Sequence, residues 1–219
     1  MGANPSSELG MRERKKKDSM ARLQTAAREL MWAKGYDAVT TKEIALQADM
    51  GEATLFRYVA SKLDLFLLVY GEEFKQVVDK CEARSKQLLG ETAPADPGSY
   101  VERILASYDM LGRLYTKYPE LAFTFVKESF GSSTAIGQSG LEYADRWFGL
   151  LEEILDRGQD AGAVTTIDTP IVVQNCHALY VHEVLRSHAR GLPTAQMPKR
   201  LRDRLTALLA PLQLPTRKR

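Results

Sequence analysis

An all-α fold, with a three-helix front unit followed by a larger helical bundle, is what this sequence predicts, and three observations carry it. Apolar residues recur at helical spacing through most of the 219 residues. No segment sustains the two-residue alternation of a half-buried strand. Proline and glycine clusters divide the periodic stretches into nine segments.

Residues 1–11 mix Gly, Asn, Pro and Ser without periodicity and read as a mobile lead. From Asp18, Leu23, Ala26, Ala27 and Leu30 follow the i, i+3, i+4, i+7 rule, and Gly35 stands where a C-terminal cap belongs, so the first helix is expected over 18–34. Thr40-Thr41-Lys42-Glu43 has the form of a capping box and opens a short helix over 41–48. Asp49-Met50-Gly51 interrupts it, and helical composition resumes for two turns over 52–59. After Ser61-Lys62 a long helix runs to Leu89, stopped by the Pro94, Pro97 and Gly98 loop. Five more are expected over 99–117, 119–130, 139–160, 169–190 and 196–210. Pro119, Gly131-Ser132-Ser133, the Gly162 to Pro170 segment and Gly191-Leu192-Pro193 separate them. The β-branched clusters at 164–167 and 171–173 are too short, and too near a proline, to argue for a sheet.

The chain is 44% hydrophobic and 26% charged, which excludes a largely disordered or fibrous chain. Its 30 basic and 28 acidic side chains leave a net charge of only +2, but residues 1–62 carry 11 basic against 8 acidic groups. The excess lies in Arg12-Glu13-Arg14-Lys15-Lys16-Lys17, with a second cluster at Arg217-Lys218-Arg219. Two isolated cysteines, Cys81 and Cys176, make neither a disulfide framework nor a CxxC pair, and fit a reducing cytoplasm. The N-terminus lacks a signal-peptide core, and no apolar run reaches the roughly 20 residues that span a bilayer.

Two short helices around a three-residue break make a helix-turn-helix candidate. Ala45 is the small contact such a crossing needs; Ile44, Ala48, Met50 and Leu55 are the apolar wedge. On the second helix Glu52, Ala53, Thr54, Phe56 and Arg57 are left to face a major groove. There a carboxylate can accept from cytosine, a methyl can touch thymine and a guanidinium can take guanine or a phosphate. Thr41, Lys42, Tyr58 and Lys62 flank them with hydroxyls and ammonium groups suited to phosphates.

The run from Ala21 to Tyr70 resembles the DNA-binding domain of the tetracycline-repressor (TetR) family, through Ala26-Ala27-Arg28-Glu29-Leu30, Lys34-Gly35-Tyr36, Thr40-Thr41-Lys42-Glu43-Ile44-Ala45, Ala53-Thr54-Leu55-Phe56-Arg57-Tyr58-Val59 and Ser61-Lys62-Leu63-Asp64-Leu65. The resemblance implies a homodimeric transcriptional regulator, usually a repressor, whose rear domain binds a small-molecule effector and pairs with its twin. It assigns base or groove contact to Lys42, Glu52, Ala53, Thr54, Phe56 and Arg57, and phosphate contact to Thr41, Tyr58 and Lys62. Three positions depart from the family pattern: Asp49 for Gly, Gly51 for Ser or another cap, and Phe56 for Tyr.

The chain is thus expected to divide into a flexible basic arm at 1–17, a DNA-binding domain at 18–64, a ligand-binding and dimerisation domain at 65–212 and a basic tail at 213–219. The arm has two readings, a contact to phosphates or a minor groove and a solvated tail. Phe123, Trp147 and His177 are the pocket candidates, on helices that the family resemblance places around the ligand cavity. The last two helices carry apolar residues on more than one face, and Leu179, Val184, Leu201, Leu205 and Leu208 are the candidate dimer contacts; a wholly internal helix pair is the alternative. His177, His182 and His188 are five and six residues apart, about 120–140° around a helix, unlike the i, i+4 pair of a zinc helix. No metal, cofactor or catalytic set is expected. The partners implied are a second copy, double-stranded DNA with a palindromic operator and an effector, in the cytoplasm and away from membranes. A nonspecific nucleoid-type DNA binder is the alternative function, and an enzyme on an all-α fold a more distant one.

Overall fold

The computed structural model describes residues 5–89, 98–129 and 135–214. Nine α-helices lie among them: α1 (Pro5–Lys34), α2 (Thr41–Gln47), α3 (Glu52–Leu55), α4 (Lys62–Leu89), α5 (Gly98–Lys117), α6 (Pro119–Ser129), α7 (Ala135–Asp160), α8 (Thr169–Ala189) and α9 (Met197–Leu209). The all-α expectation holds. Among the described residues the sole sheet-like pairing is an isolated antiparallel bridge between Val164 and Gln213. The chain divides into two compact units, Met1–Gly71 and Glu72–Arg219, and the division falls inside α4.

Two front helices depart from expectation. Helix α1 is 30 residues long and starts at Pro5, so the described part of the expected lead and flexible arm is helical. The run Met11 to Lys17 holds Met, Arg, Glu and Lys, all good helix formers, and extending a helix already anchored at Leu23 carries none of the nucleation penalty. Helix α3 ends at Leu55, after which Arg57 N–H turns back to the Thr54 carbonyl at 3.1 Å and Tyr58 N–H to that of Leu55 at 2.8 Å. The Arg217-Lys218-Arg219 cluster lies outside the described residues, as does most of the 90–99 loop.

In the front unit Leu23, Ala27 and Met31 repeat every four residues along α1 and are fully buried, as are Ile44, Leu55, Leu65 and Phe66. Aromatic rings close the end of this core: Phe66 lies 4.9 Å from Tyr36 and 5.8 Å from Tyr70 between centroids. Helix α4 is launched by Ser61, whose hydroxyl accepts from Asp64 N–H at 3.0 Å and donates to the Asp64 carboxylate at 2.9 Å.

In the rear unit α9 packs on α5 and α8, and α8 also on α6 and α7. Trp147 is fully buried, edge-on to Tyr108 with centroids 5.4 Å apart. Glu183 is buried to 0% exposure on α8. Its carboxylate is held by Arg204 at 2.6 Å, Arg200 at 3.1 Å and Arg186 at 3.7 Å. Such a charge is tolerated inside only with partners of opposite sign, so α9 is oriented by its arginines as well as by Met197, Leu201, Leu205 and Leu209.

That packing corrects part of the dimer expectation. Val184, Leu201 and Leu205 are 0, 1 and 0% exposed within the single chain, so their apolar area is already removed from water and is not offered to a second copy. These three side chains pack inside the unit, where α8 and α9 meet each other and α5, α6 and α7. Leu179 and Leu208 are half-buried and keep an outward side.

Candidate nucleic-acid interface

The site is built from α2, its turn and α3. Thr40 caps α2 with a reciprocal box: its hydroxyl accepts from Glu43 N–H at 3.2 Å, and Glu43 accepts from Thr40 N–H at 2.8 Å. Lys34 donates to the other Glu43 oxygen at 2.9 Å. This bond, with those from Thr40, lowers the Glu43 carboxyl to about 2.

The turn is a Schellman motif: Met50 N–H bonds the Ala45 carbonyl at 3.0 Å and Asp49 N–H that of Leu46 at 3.1 Å. Such a closure needs one residue in the left-handed region, and Asp49 takes it at φ 53°. A side chain there is strained relative to glycine, though less for Asp than for most residues. Arg22 lies 3.4 Å from the Asp49 carboxylate. Gly51 then caps α3 with no side-chain bond.

The residues expected to meet a groove are presented together. Lys42, Glu52, Ala53, Phe56 and Arg57 are exposed, and Thr41, Thr54 and Tyr58 half-buried. Phe56, at 47% exposure, is a large ring left outside the core. Arg57 donates to the Thr54 hydroxyl at 3.3 Å, and Thr41 to the Glu52 carboxylate at 2.5 Å, tying α2 to the start of α3.

Lys62 is engaged within the front unit. Its ammonium donates to the main-chain carbonyls of Tyr36 at 2.9 Å and Val39 at 3.0 Å, and lies over the Tyr36 ring. Two of its three protons satisfy carbonyls in the connection between α1 and α2, so it fastens the front unit and has one proton left for a phosphate.

Leu46 is a feature that sequence reasoning passed over: it is 80% exposed on α2. The signal was present, since it sits outside the buried Ile44, Ala45 and Ala48 stripe of a short helix.

In the rear unit the three pocket candidates do not converge. Phe123 stacks on His188 at 3.5 Å, Trp147 meets Tyr108 and Phe74, and His177 lies against Phe148 and Tyr180. Two hollows occur elsewhere among the described residues. A cleft of about 400 Å³ is lined by Glu82, Ser85, Lys86, Arg146, Leu150, Glu153 and Arg157. A cavity of about 110 Å³ lies between α4, α5 and α7. Among the described residues no group of three or more His, Cys, Asp or Glu side chains could hold a metal ion, and no helix is long and apolar enough to cross a membrane.

Residues 23–69 match the family of bacterial regulatory proteins described as tetR. The HTH-type transcriptional repressor KstR of Mycolicibacterium smegmatis is 37% identical over 79 residues, 35% of this chain and 36% of that protein, so the match spans about a third of the relative's length. Thermus thermophilus FadR, a TetR-family repressor solved with lauroyl-CoA, superposes with a TM-score of 0.64 at 22% identity, over 85% of this chain and 92% of that one. RolR solved with resorcinol gives 0.66 at 19% identity, over 93% and 92%. At these identities the solved structures share the fold.

Proposed function

From the match of residues 23–69 to the tetR family of bacterial regulatory proteins we propose that the protein is a cytoplasmic, homodimeric transcriptional repressor released from its operator by a small molecule. The observation that carries the reading is the exposed set Lys42, Glu52, Ala53, Phe56 and Arg57 around a Schellman turn, with Thr54 and Tyr58 half-exposed beside it. Those chemistries cover donors, an acceptor and a methyl for base edges, while Thr41 and Tyr58 supply hydroxyls for phosphates. Residues 18–64 are the DNA reader and 65–212 the effector and dimer body in this reading. Two readers on a two-fold dimer enter successive major grooves about 34–36 Å apart, which calls for a palindromic operator.

Leu179 and Leu208 stay as dimer candidates, and Ile171 and Leu185, exposed on α8, extend that surface. The fold's relatives hold ligands as different as lauroyl-CoA and resorcinol, which supports a rear-unit effector without selecting one. An effector acts only through differential affinity for two arrangements of the protein, and α4, shared by both units, is the element that would convey it. The relatives are regulators, and no enzymatic role is proposed.

Mobility shifts with DNA from beside the protein's own gene test the reading. A sequence-specific complex, with preference at one base position relaxed by Arg57→Ala, supports it. Binding that Arg57→Ala weakens uniformly across all sequences favours a nonspecific DNA binder instead, and the absence of any sequence-specific complex removes the repressor reading.

A further inference from the structure

The cavity between α4, α5 and α7 has two chemically distinct walls. Arg84, Ser85 and Arg103 make one; Ala106, Met110 and Ile154 contribute to the other. Ser85 is only 6% exposed, and its hydroxyl is buried without a hydrogen-bond partner. The Arg103 Nη1 is likewise buried without one. Orphaned buried donors are rare because each carries a desolvation penalty, and two on one small cavity mark a place where an acceptor belongs.

No acceptor among the described residues pairs with either donor. The Glu102 carboxylate on its rim is held bidentate by Arg202 at 2.6 and 2.7 Å. The Ser107 hydroxyl donates along its own helix to the Arg103 carbonyl at 2.9 Å. Arg84 and Arg103 have no ion-pair partner among the described residues, so the polar wall is cationic.

We infer that this cavity binds a small organic carboxylate, its acid group accepting from Ser85 Oγ and Arg103 Nη1 and its short apolar body lying on Ala106, Met110 and Ile154. A volume of about 110 Å³ is roughly that of four waters at about 30 Å³ each, which suits a molecule of about six heavy atoms or the acid end of a longer one. The apolar wall selects an organic acid over inorganic phosphate, which would leave that wall unused. The inference names an effector class and rests on the reading of the rear unit as an effector-binding body.

Calorimetric titration of the full-length protein with sodium butyrate, butyramide and inorganic phosphate tests it. Butyrate is expected to bind about tenfold or more tightly than butyramide. Arg103→Gln and Ser85→Ala should each weaken butyrate by about tenfold or more, as loss of one donor to a buried charge does. Ser85→Ala should leave the unfolding midpoint unchanged or raised, because its hydroxyl has no partner to lose. Equal affinity for butyrate and butyramide, or butyrate binding indifferent to both variants, overturns the inference. So does phosphate binding in butyrate's place. Mobility shifts on the same preparations separate the two proposals: specific DNA binding without butyrate binding sinks the carboxylate site alone, while butyrate binding without specific DNA binding sinks the repressor reading and leaves the site.

Discussion

Lys62 donates to the carbonyl of Tyr36 at 2.9 Å while its ammonium lies 4.3 Å from the centre of the same residue's ring. One side chain thus ties the start of α4 to the segment that leaves α1, and the Val39 carbonyl at 3.0 Å completes the anchorage. Hydrogen bonds from a charged donor contribute about 1.5–3 kcal/mol each, more than neutral ones.

Lys62→Met is therefore expected to destabilise the front unit by about 2 kcal/mol or more, read as a shift in the urea midpoint. The slope of log affinity for DNA against log salt should stay that of the wild type. A lysine on a phosphate would instead reduce that slope by about one when replaced. A reduced slope with unchanged stability would restore the phosphate role.

At Asp49 the left-handed backbone sets the order of substitutions. Asp49→Gly removes the side-chain strain but adds unfolded-chain entropy and loses the exposed Arg22 contact, so it should fall within about 1 kcal/mol of wild type. Asp49→Ala keeps the strain without a polar side chain and should be about 1 kcal/mol less stable than the glycine variant. Equal midpoints for the alanine and glycine variants would count against this account of the turn.

Two glycines of α7 should respond to alanine with opposite signs. At Gly149 a Cβ meets nothing within 4 Å, and the gain in helix propensity should add about 0.5–1 kcal/mol. At Gly158 the same methyl would sit 2.6 Å from the Val164 Cγ2 and 3.2 Å from the Tyr100 ring. Overpacking costs about 1–3 kcal/mol and should outweigh that gain. Thermal melts of both variants decide it.

His177 makes stability depend on pH below neutrality. Burial lowers its ring to about 4 from the ordinary imidazole value of 6.5, so the folded protein keeps it neutral where the unfolded chain takes up a proton. The unfolded state then binds more protons, and stability must fall as pH drops from about 6.5 to about 4, with no further loss from this group below that. His177→Gln should flatten the stability profile in that window. An unchanged slope between pH 7 and 5 would show that the imidazole is not the source.

The elements with a local cause were legible from residues alone. The Thr40 to Glu43 capping box is where its sequence says, and the i, i+3, i+4 stripe of α1 fills the front core. What misled were positions whose fate depends on distant neighbours. Lys62 reads as an available cation, and only the path of the Tyr36 to Val39 segment reveals two carbonyls waiting for it. Val184, Leu201 and Leu205 read as a second apolar face, and the packing of α9 on α5 and α8 turns them inward.

The sequence by itself determined the helical class, the helix-turn-helix and the resemblance of residues 23–69 to the tetR family, because capping, periodicity and turn chemistry act within a few residues of one another. Only the tertiary structure decided which cations are free to meet a phosphate, which leucines are free to meet a partner, and that Ser85 and Arg103, eighteen positions apart on two helices, line one cavity. Burial and hydrogen-bond satisfaction are set by whatever the rest of the chain brings alongside, and no local window of sequence contains that information.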